Sequence, residues 1–449
     1  MELRLTHAND RALRSRGEYV LYWMIAARRA SWSFALDHAL ALATQVGRPL
    51  LVLEALRAGY PWASDRLHRF VLDGMADNAK AFARAGITYV SYVEPGPGAG
   101  KGLVEALAKR ACAIVTDEYP AFFLPRMVAA LAARVDVRVD VVDGCGVYPL
   151  RAFGKQFVTA RSFRRAWHDL PYEAPASRLR APRIAKDAEV PGAILRRWRS
   201  ATAIEDIPID HTVAPVPYAG GSVAAREVLE DFVAERLPRY AERNHPDADA
   251  ASGLSPYLHF GHISAHEIVA RVGHADQFLD ELITWRELGF NLCFHRSDVD
   301  RLSALPAWAQ ATLAKHARDP RPERYTLAEL ADARTYDPVW NAAQRQLLVD
   351  GRIHNYLRML WGKKILEWSA SPAQALANMI ELNNKYAVDG RDPNSYNGIL
   401  WTLGLFDRPW GPERKIFGTV RYMSSTATVK KLRMKRYLAQ FGSCEPSRK

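Results

Sequence analysis

The sequence predicts an α/β amino-terminal domain built on a parallel sheet, followed by an all-helical carboxyl-terminal domain. Three observations lead there. Short apolar runs alternate with helix-patterned segments from residue 19 to residue 142. Prolines then break that rhythm as far as residue 222, and from Val223 onward the apolar residues recur every three or four positions with no strand pattern. At 449 residues the chain exceeds what one compact core organises. The expected division is 1–150 for the α/β domain, 151–222 for a connection and 223–449 for the helical domain.

Residues 1–18 are polar and basic and read as a loose lead-in. Strands are expected at Tyr19–Met24, Leu50–Leu53, Ile87–Val93, Ala113–Thr116 and Val137–Val142. Helical spacing marks Ser33–Gln45, Arg66–Ala85, Leu103–Arg110 and Phe122–Arg134. Strands separated by single helices form right-handed βαβ units, and ligands of such sheets sit beyond the carboxyl ends of the strands. The run GluProGlyProGlyAlaGlyLysGly (94–102) has the setting of a phosphate loop, but Pro95 and Gly102 stand where that motif requires Gly and a hydroxyl residue. It reads as a flexible turn. Pro149, Pro171, Pro175, Pro182, Pro191, Pro208, Pro215 and Pro217 punctuate the connection, and GlyGlySer (220–222) closes it.

Hydrophobic content of 49% with 24% charged residues is that of a soluble globular protein. The formal net charge of +12, with local densities at Arg161–Arg165, Arg196–Arg199 and Lys430–Arg436, favours an anionic partner, nucleic acid above all. An arginine-preferring genome would give a similar balance. Cys112, Cys145, Cys293 and Cys444 form no CxxC or Cys/His ligand spacing, so a reduced, cytoplasmic, metal-free protein is expected. The first residues lack the apolar core of a signal peptide, and no run approaches the ~18–20 apolar residues of a membrane span.

Four stretches of the helical half can carry chemistry. SerGlyLeuSer ahead of ProTyrLeu (252–258) is a small-residue turn running into a helix with Pro in its first turn, a seat for a phosphate or simply a capped helix. In GluLeuIleThrTrpArgGluLeu (281–288), Glu281 and Trp285 share a helical face. A carboxylate buried beside an indole has a raised pKa and can donate a proton; an exposed Glu at the edge of a packed Trp is the plainer alternative. Trp361 and Trp368, two helical turns apart at ~10.5 Å along the axis, can form an electron path with Trp340 or a plain core stripe. Arg358 and Asp389 can pair, and Asn383 offers two donors and an acceptor to a ring edge.

Taken together, these stretches resemble the photolyase/cryptochrome family, and within it the class II cyclobutane pyrimidine dimer photolyases. The matching runs are SerGlyLeuSerProTyrLeuHisPheGlyHisIleSer (252–264), GluLeuIleThrTrpArgGluLeu (281–288), AspProValTrpAsnAlaAlaGln (337–344), ArgMetLeuTrpGlyLysLysIleLeuGluTrp (358–368), LeuAsnAsnLysTyr (382–386), AspGlyArgAspProAsn (389–394) and PheGlyThrValArgTyrMet (417–423). ValLeuTyrTrpMet (20–24) extends the likeness to the first strand.

The resemblance implies a Rossmann-like domain that holds an antenna chromophore in some members (8-hydroxy-5-deazaflavin or a folate) and a helical domain that binds FAD. It places Tyr240 and the turn Ser252, Gly253, Leu254, Ser255 at the flavin phosphates. Arg358 and Asp389, with Gly390 beside them, fall at the isoalloxazine, and Asn383 near flavin N5. Trp361, Trp340 and Trp368 match the photoreduction chain, in that order outward. Glu281, Trp285, Met359, Trp401 and Arg421 match the lesion site, with Glu281 hydrogen-bonding or protonating the dimer. The implied activity is light-driven repair of cyclobutane pyrimidine dimers by electron transfer from reduced FAD to a flipped-out lesion. The implied partner is UV-damaged DNA, met by a monomer.

Departures from the family pattern accompany the likeness. LeuGlyLeuPheAspArg (403–408) is one residue shorter than the usual run and lacks its His, and Pro412 looks like a compensating insertion. AlaAlaArgArg (26–29) replaces an Asp- and Gln-containing run on the antenna side, and HisAsnTyr (354–356) carries Asn where Gly is common. Competing readings are a cryptochrome-like photoreceptor, a (6-4) photoproduct repair enzyme and a plain basic nucleic-acid-binding module. The intact Glu281/Trp285/Met359/Trp401 set favours dimer repair, and no His occupies the matched lesion positions.

Overall fold

The computed structural model describes residues 1–179 and 187–442; Pro182 and Cys444 lie outside them. Contacts divide the chain into two units. One comprises Met1–Gly154, Asp169–Glu230 and Leu254–Gly273, the other Lys155–His168, Asp231–Gly253 and His274–Lys449.

The first unit is the α/β half. Strands β1 (Leu5–His7), β2 (Tyr19–Met24), β3 (Leu50–Leu56), β4 (Thr88–Val93), β5 (Ala111–Glu118) and β6 (Val139–Asp143) form one sheet in the order β1-β6-β5-β2-β3-β4. All neighbours are parallel except β1 on β6. Alternation along β2 fixes the layers: Tyr19, Leu21 and Trp23 enter one core with Leu107 and Leu131, and Val20, Tyr22 and Met24 enter another with Phe34 and Phe82. Helices α1 (Phe34–Val46), α2 (Asp65–Arg84), α3 (Leu103–Ala108) and α4 (Leu124–Ala132) supply those partners, as the alternating pattern predicted.

Two features differ from the sequence expectation. The amino terminus is no loose lead-in: Leu5, Thr6 and His7 pair with Val142, Val141 and Asp140, and the buried Arg4 guanidinium donates to the carbonyls of Asp143 and Val147 at 3.1 and 2.7 Å. Strands β3 and β5 also run past their apolar stretches into buried carboxylates. Asp117 accepts from the backbone N–H groups of Ile25, Ala26 and Ala27 at 2.8–3.0 Å and from the Tyr22 hydroxyl at 2.8 Å. Glu54 is bound by Arg28, Asn78 and Tyr89 at 3.0, 2.8 and 2.7 Å. A charge at these positions reads as a strand end, yet each is fully hydrogen-bonded and so tolerated inside. The ArgArg pair of the 26–29 run is turned inward, Arg29 donating to the carbonyls of Trp32 and Gly261.

The second unit has no strand among its described residues. Three of its helices start the same way, with a capping side chain followed by Pro: Asp337 before Pro338–Asp350, Ser371 before Pro372–Tyr386 and Asp392 before Pro393–Thr402. The cap accepts first-turn N–H groups, contributing ~1 kcal/mol each, and Pro occupies the position whose N–H has no intrahelical partner. The helix Asn355–Trp368 packs against all three. Its Gly362 permits the approach, because a Cβ there would lie 2.7 Å from Thr402 Cγ2 and 3.0 Å from the Met379 sulfur. The segment expected as plain helix around Glu281 is a π turn, Asp280–Trp285, leading into Arg286–His295. Helix α5 (Ala160–His168) braces it: Arg164 chelates Asp280 at 2.6 and 2.7 Å, and the Trp167 indole donates to Thr284 at 3.1 Å. Such π turns recur at functional sites.

Candidate functional site

The Asp337 cap sets Trp340 against the 355–368 helix. Asp337 accepts from the N–H groups of Val339 and Trp340, both at 3.1 Å, fixing the first turn that carries the indole. Trp340 then stacks on Trp361 with centroids 6.4 Å apart and planes 2° from parallel, and meets Trp368 edge-on at 5.5 Å. All three are buried. Trp340 Nε1 donates to the Trp361 carbonyl at 3.0 Å, and Trp361 Nε1 to Gln344 at 2.9 Å; Trp368 Nε1 has no partner. Two tyrosines continue outward from Trp368: Tyr325 lies edge-on at 5.2 Å and Tyr336, 59% exposed, at 5.7 Å. Neither was read from the sequence, because ring contact with Trp368 has no local signature.

Arg358, Asp389 and Asn383 come from the 355–368 helix, the turn after the 372–386 helix and that helix's last turn. Arg358 lies 3.7 Å from Asp389 Oδ2, a loose ion pair, and Asp389 Oδ1 is buried with no hydrogen-bond partner. A buried carboxylate oxygen left bare costs more than the ~1–3 kcal/mol of an unpaired neutral group, so the site fits a bound group that brings a donor. Asn383 Nδ2 donates to Ser395 Oγ at 2.6 Å. Gly390 is required by closeness: a Cβ would lie 2.7 Å from the Asn383 carbonyl and 2.9 Å from Asn384 Cα. These groups fit the polar edge of a flavin ring.

Tyr240 is buried in the turn Leu237–Glu242, edge-on to Phe232 and Phe278 at 5.9 and 5.3 Å. Ser252 and Gly253 close the 231–253 segment, with Gly253 at φ +74°; Leu254 precedes and Ser255 begins the short helix Ser255–His259.

Glu281 is not in an apolar niche. Its side chain is 32% exposed and accepts from Arg243 at 2.9 Å. Arg243 also lies over the Tyr240 ring at 4.8 Å, and its carbonyl is bonded by the His354 imidazole at 2.9 Å. Burial pushes His354 down to about 4, so a neutral imidazole holds the start of the 355–368 helix. Arg243 is a site residue that sequence reasoning missed. Trp285, whose carbonyl accepts from Asn397 at 3.0 Å, shares the π turn with Glu281.

Met359, Trp401 and Arg421 meet in a pocket of about 370 Å³, walled also by Tyr356, Trp410, Arg414 and Lys431. Glu281 and Trp285 are not among its walls. Arg421 lies 3.2 Å from Asp407, 5.4 Å from the Trp401 ring centroid and 4.2 Å from that of Trp410. Trp410 donates to Asp407 at 3.1 Å and carries Arg408 over its ring at 4.2 Å. Two indoles, a thioether and a cluster of cations at an open mouth suit a flat, apolar ligand attached to phosphates.

Comparison with known proteins identifies the family. A deoxyribodipyrimidine photo-lyase of Methanothermobacter thermautotrophicus is 34% identical over 441 residues, 97% of each chain. That of Potorous tridactylus is 32% identical over 449 residues, covering 94% of this chain and 81% of its own. The chain belongs to the photolyase/cryptochrome family. No family model matches it. Among solved structures, a class III photolyase from Agrobacterium tumefaciens aligns with a TM-score of 0.70 at 18% identity, over 96% of this chain and 87% of its own. A Synechocystis cryptochrome aligns at 0.69 and 16%, over 94% and 87%. Both share the family fold, an α/β half with a largely parallel sheet and a helical half.

Proposed function

We propose that this protein is a light-driven DNA repair lyase, a deoxyribodipyrimidine photo-lyase that splits cyclobutane pyrimidine dimers, with FAD as its cofactor and UV-damaged DNA as its partner. The pocket formed by Met359, Trp401, Trp410 and Arg421 carries the reading, supported by relatives of that name over nearly the whole chain. Bound FAD, reduced and excited by light, supplies the electron that ring opening borrows and returns. The chain's own residues do the rest. Arg358 and Asp389 orient the flavin edge, with Asn383 beside them. Trp401 presents a face to the flipped bases, Met359 fills in below, and Trp410 walls the pocket from between Arg408 and Arg421. Arg414, Arg421 and Lys431 hold the flanking phosphates, giving salt-dependent affinity without sequence preference. Glu281, oriented by Arg243 beyond the pocket's walls, is the hydrogen-bonding group assigned to the dimer in this reading. Trp361, Trp340 and Trp368 pass electrons inward to restore the reduced cofactor.

No histidine walls the pocket, which favours the cyclobutane dimer over the (6-4) photoproduct. Among the described residues no helix is long and apolar enough to cross a membrane. The test is illumination of the reduced protein with an oligonucleotide containing one thymine dimer. Light-dependent recovery of intact thymines is expected, and its absence rejects the function.

A further inference from the structure

Lys363 is 1% exposed, on a helix whose residues from Leu360 to Leu366 are all buried. A lysine so enclosed needs a specific partner, and it has one. Its ammonium donates to the carbonyl of Thr402 at 2.6 Å. Thr402 is the last residue of the Pro393–Thr402 helix, where carbonyls lose their intrahelical donors and the backbone dipole favours a cation. Neighbouring carbonyls are served locally: Leu400 by the N–H groups of Leu403 and Leu405, Trp401 by that of Gly404, and Ile399 by the Thr402 hydroxyl. Lys363 completes the set. The tight approach at Gly362 brings its side chain within reach.

The same ammonium lies 5.4 Å from the centroid of Trp401, a wall of the pocket, and Arg421 stands at the same distance from that ring. The charged groups facing Lys363 are Asp407, from the loop after the 393–402 helix, and Arg421, from the segment beyond it. Asp407 binds Arg421 and Trp410, so three pocket residues hang on a cluster to which Lys363 contributes a buried charge.

We propose that Lys363 is a positioning residue of the lesion pocket, whose ammonium caps the Thr402 helix end and holds Trp401 and the Asp407–Arg421 pair in their DNA-binding arrangement, so that losing its proton loosens that wall. This rests on the repair function proposed above. Burial, opposed by Asp407 and aided by Arg421, lowers Lys363 from the ordinary lysine value to about 7. The charge is therefore held below neutral pH and given up above it, while Arg421 stays cationic throughout. A neutral amine still donates one hydrogen bond to Thr402 but gives up the cation–π contact and the electrostatic balance of Asp407.

The experiment measures dimer repair by pre-reduced enzyme, and affinity for a dimer-containing oligonucleotide, from pH 6 to 8.5 in wild type, K363M and K363R. In wild type, affinity for the lesion falls about threefold across the range, the size of one cation–π contact. K363M is expected to be flat at the lower level and K363R flat at the higher, both with full flavin content. A wild-type midpoint that persists in K363M overturns the proposal, whereas absence of repair at every pH counts against the function itself. If neither variant folds, ¹³Cε-lysine NMR of the wild-type holoenzyme decides. One lysine titrating near pH 7 is expected; none titrating below about 9 overturns the assignment.

Discussion

Trp340 and Trp361 are joined twice, by parallel rings 6.4 Å apart and by the hydrogen bond from the Trp340 indole to the Trp361 carbonyl. The bond fixes the stacking, since the carbonyl belongs to a buried helix and cannot turn. Trp340 thereby sits between Trp361 and Trp368, and the inner and outer indoles of the proposed path communicate through it.

Trp340→Phe should therefore interrupt electron entry while leaving the pocket untouched. Photoreduction of the oxidised flavin with an external donor, followed by absorbance under blue light, is expected to fail. Repair by chemically reduced enzyme should persist. The lost hydrogen bond and smaller ring should cost ~1–3 kcal/mol in urea unfolding. Normal photoreduction in this variant would remove Trp340 from the path.

Gly390→Ala tests the flavin edge by backbone displacement. Its Cβ would press on the Asn383 carbonyl and Asn384 Cα, neither of which is the end of a flexible side chain. The turn must shift, carrying Asp389 away from Arg358. A destabilisation of ~1–3 kcal/mol is expected, with a lower ratio of bound flavin to protein after purification. Full flavin occupancy would show that the Asp389 turn does not hold the cofactor.

What was legible in the chain depended on how far apart the cooperating residues stand. The βα alternation is local, and so is the two-turn spacing of Trp361 and Trp368; both appear in the structure where the sequence placed them. Strand β1 was missed because its only signal is a pairing with β6, more than 130 residues away, and Leu-Thr-His has no pattern of its own. Arg243 and Lys363 escaped notice for the same reason. Their partners, Glu281 and Thr402, lie 38 and 39 residues further along, and a cation with no partner near it in sequence reads as surface. The structure shows what sets Lys363 apart: every residue from Leu360 to Leu366 is buried, which leaves this lysine no exposed face.

The loop following Trp410 should respond to pH through His316. This imidazole lies between Asp319 at 2.6 Å and Glu413 at 2.9 Å, and Lys315 binds Glu413 at 2.8 Å. Its hydrogen bonds to Asp319 and then Glu413 raise its pKa. That contribution is fully present below the ordinary value of about 6.5 and is lost as pH rises through the raised value. Glu413 is lowered by Lys315 and then His316, and Asp319 by the Ile416 N–H and then His316; their contributions exist above about 4 and fade as pH falls through the lowered values. The clasp is tightest between those limits. Protection of the amides of residues 411–419, taken as exchange relative to the intrinsic rate at each pH, should be greatest in that window and fall on its alkaline side. In His316→Gln the alkaline change should vanish.

Arg421→Met separates DNA attraction from cofactor chemistry. The guanidinium lines the pocket, lies over Trp401 and Trp410, and is bound to Asp407. Removing it deletes the cation proposed to bind phosphate and leaves Asp407, 9% exposed, without its arginine partner. Affinity for dimer-containing DNA should fall at every salt concentration, and the slope of log affinity against log salt should shrink by ~0.9, the increment for one neutralised phosphate. Flavin content and photoreduction should stay at wild-type levels, because the Trp340–Trp361–Trp368 path and the Arg358–Asp389 pair involve none of these atoms. An unchanged salt slope would mean that Arg421 serves only to pin Asp407 and Trp410, and the phosphate contact would then fall to Arg414 and Lys431 at the same mouth.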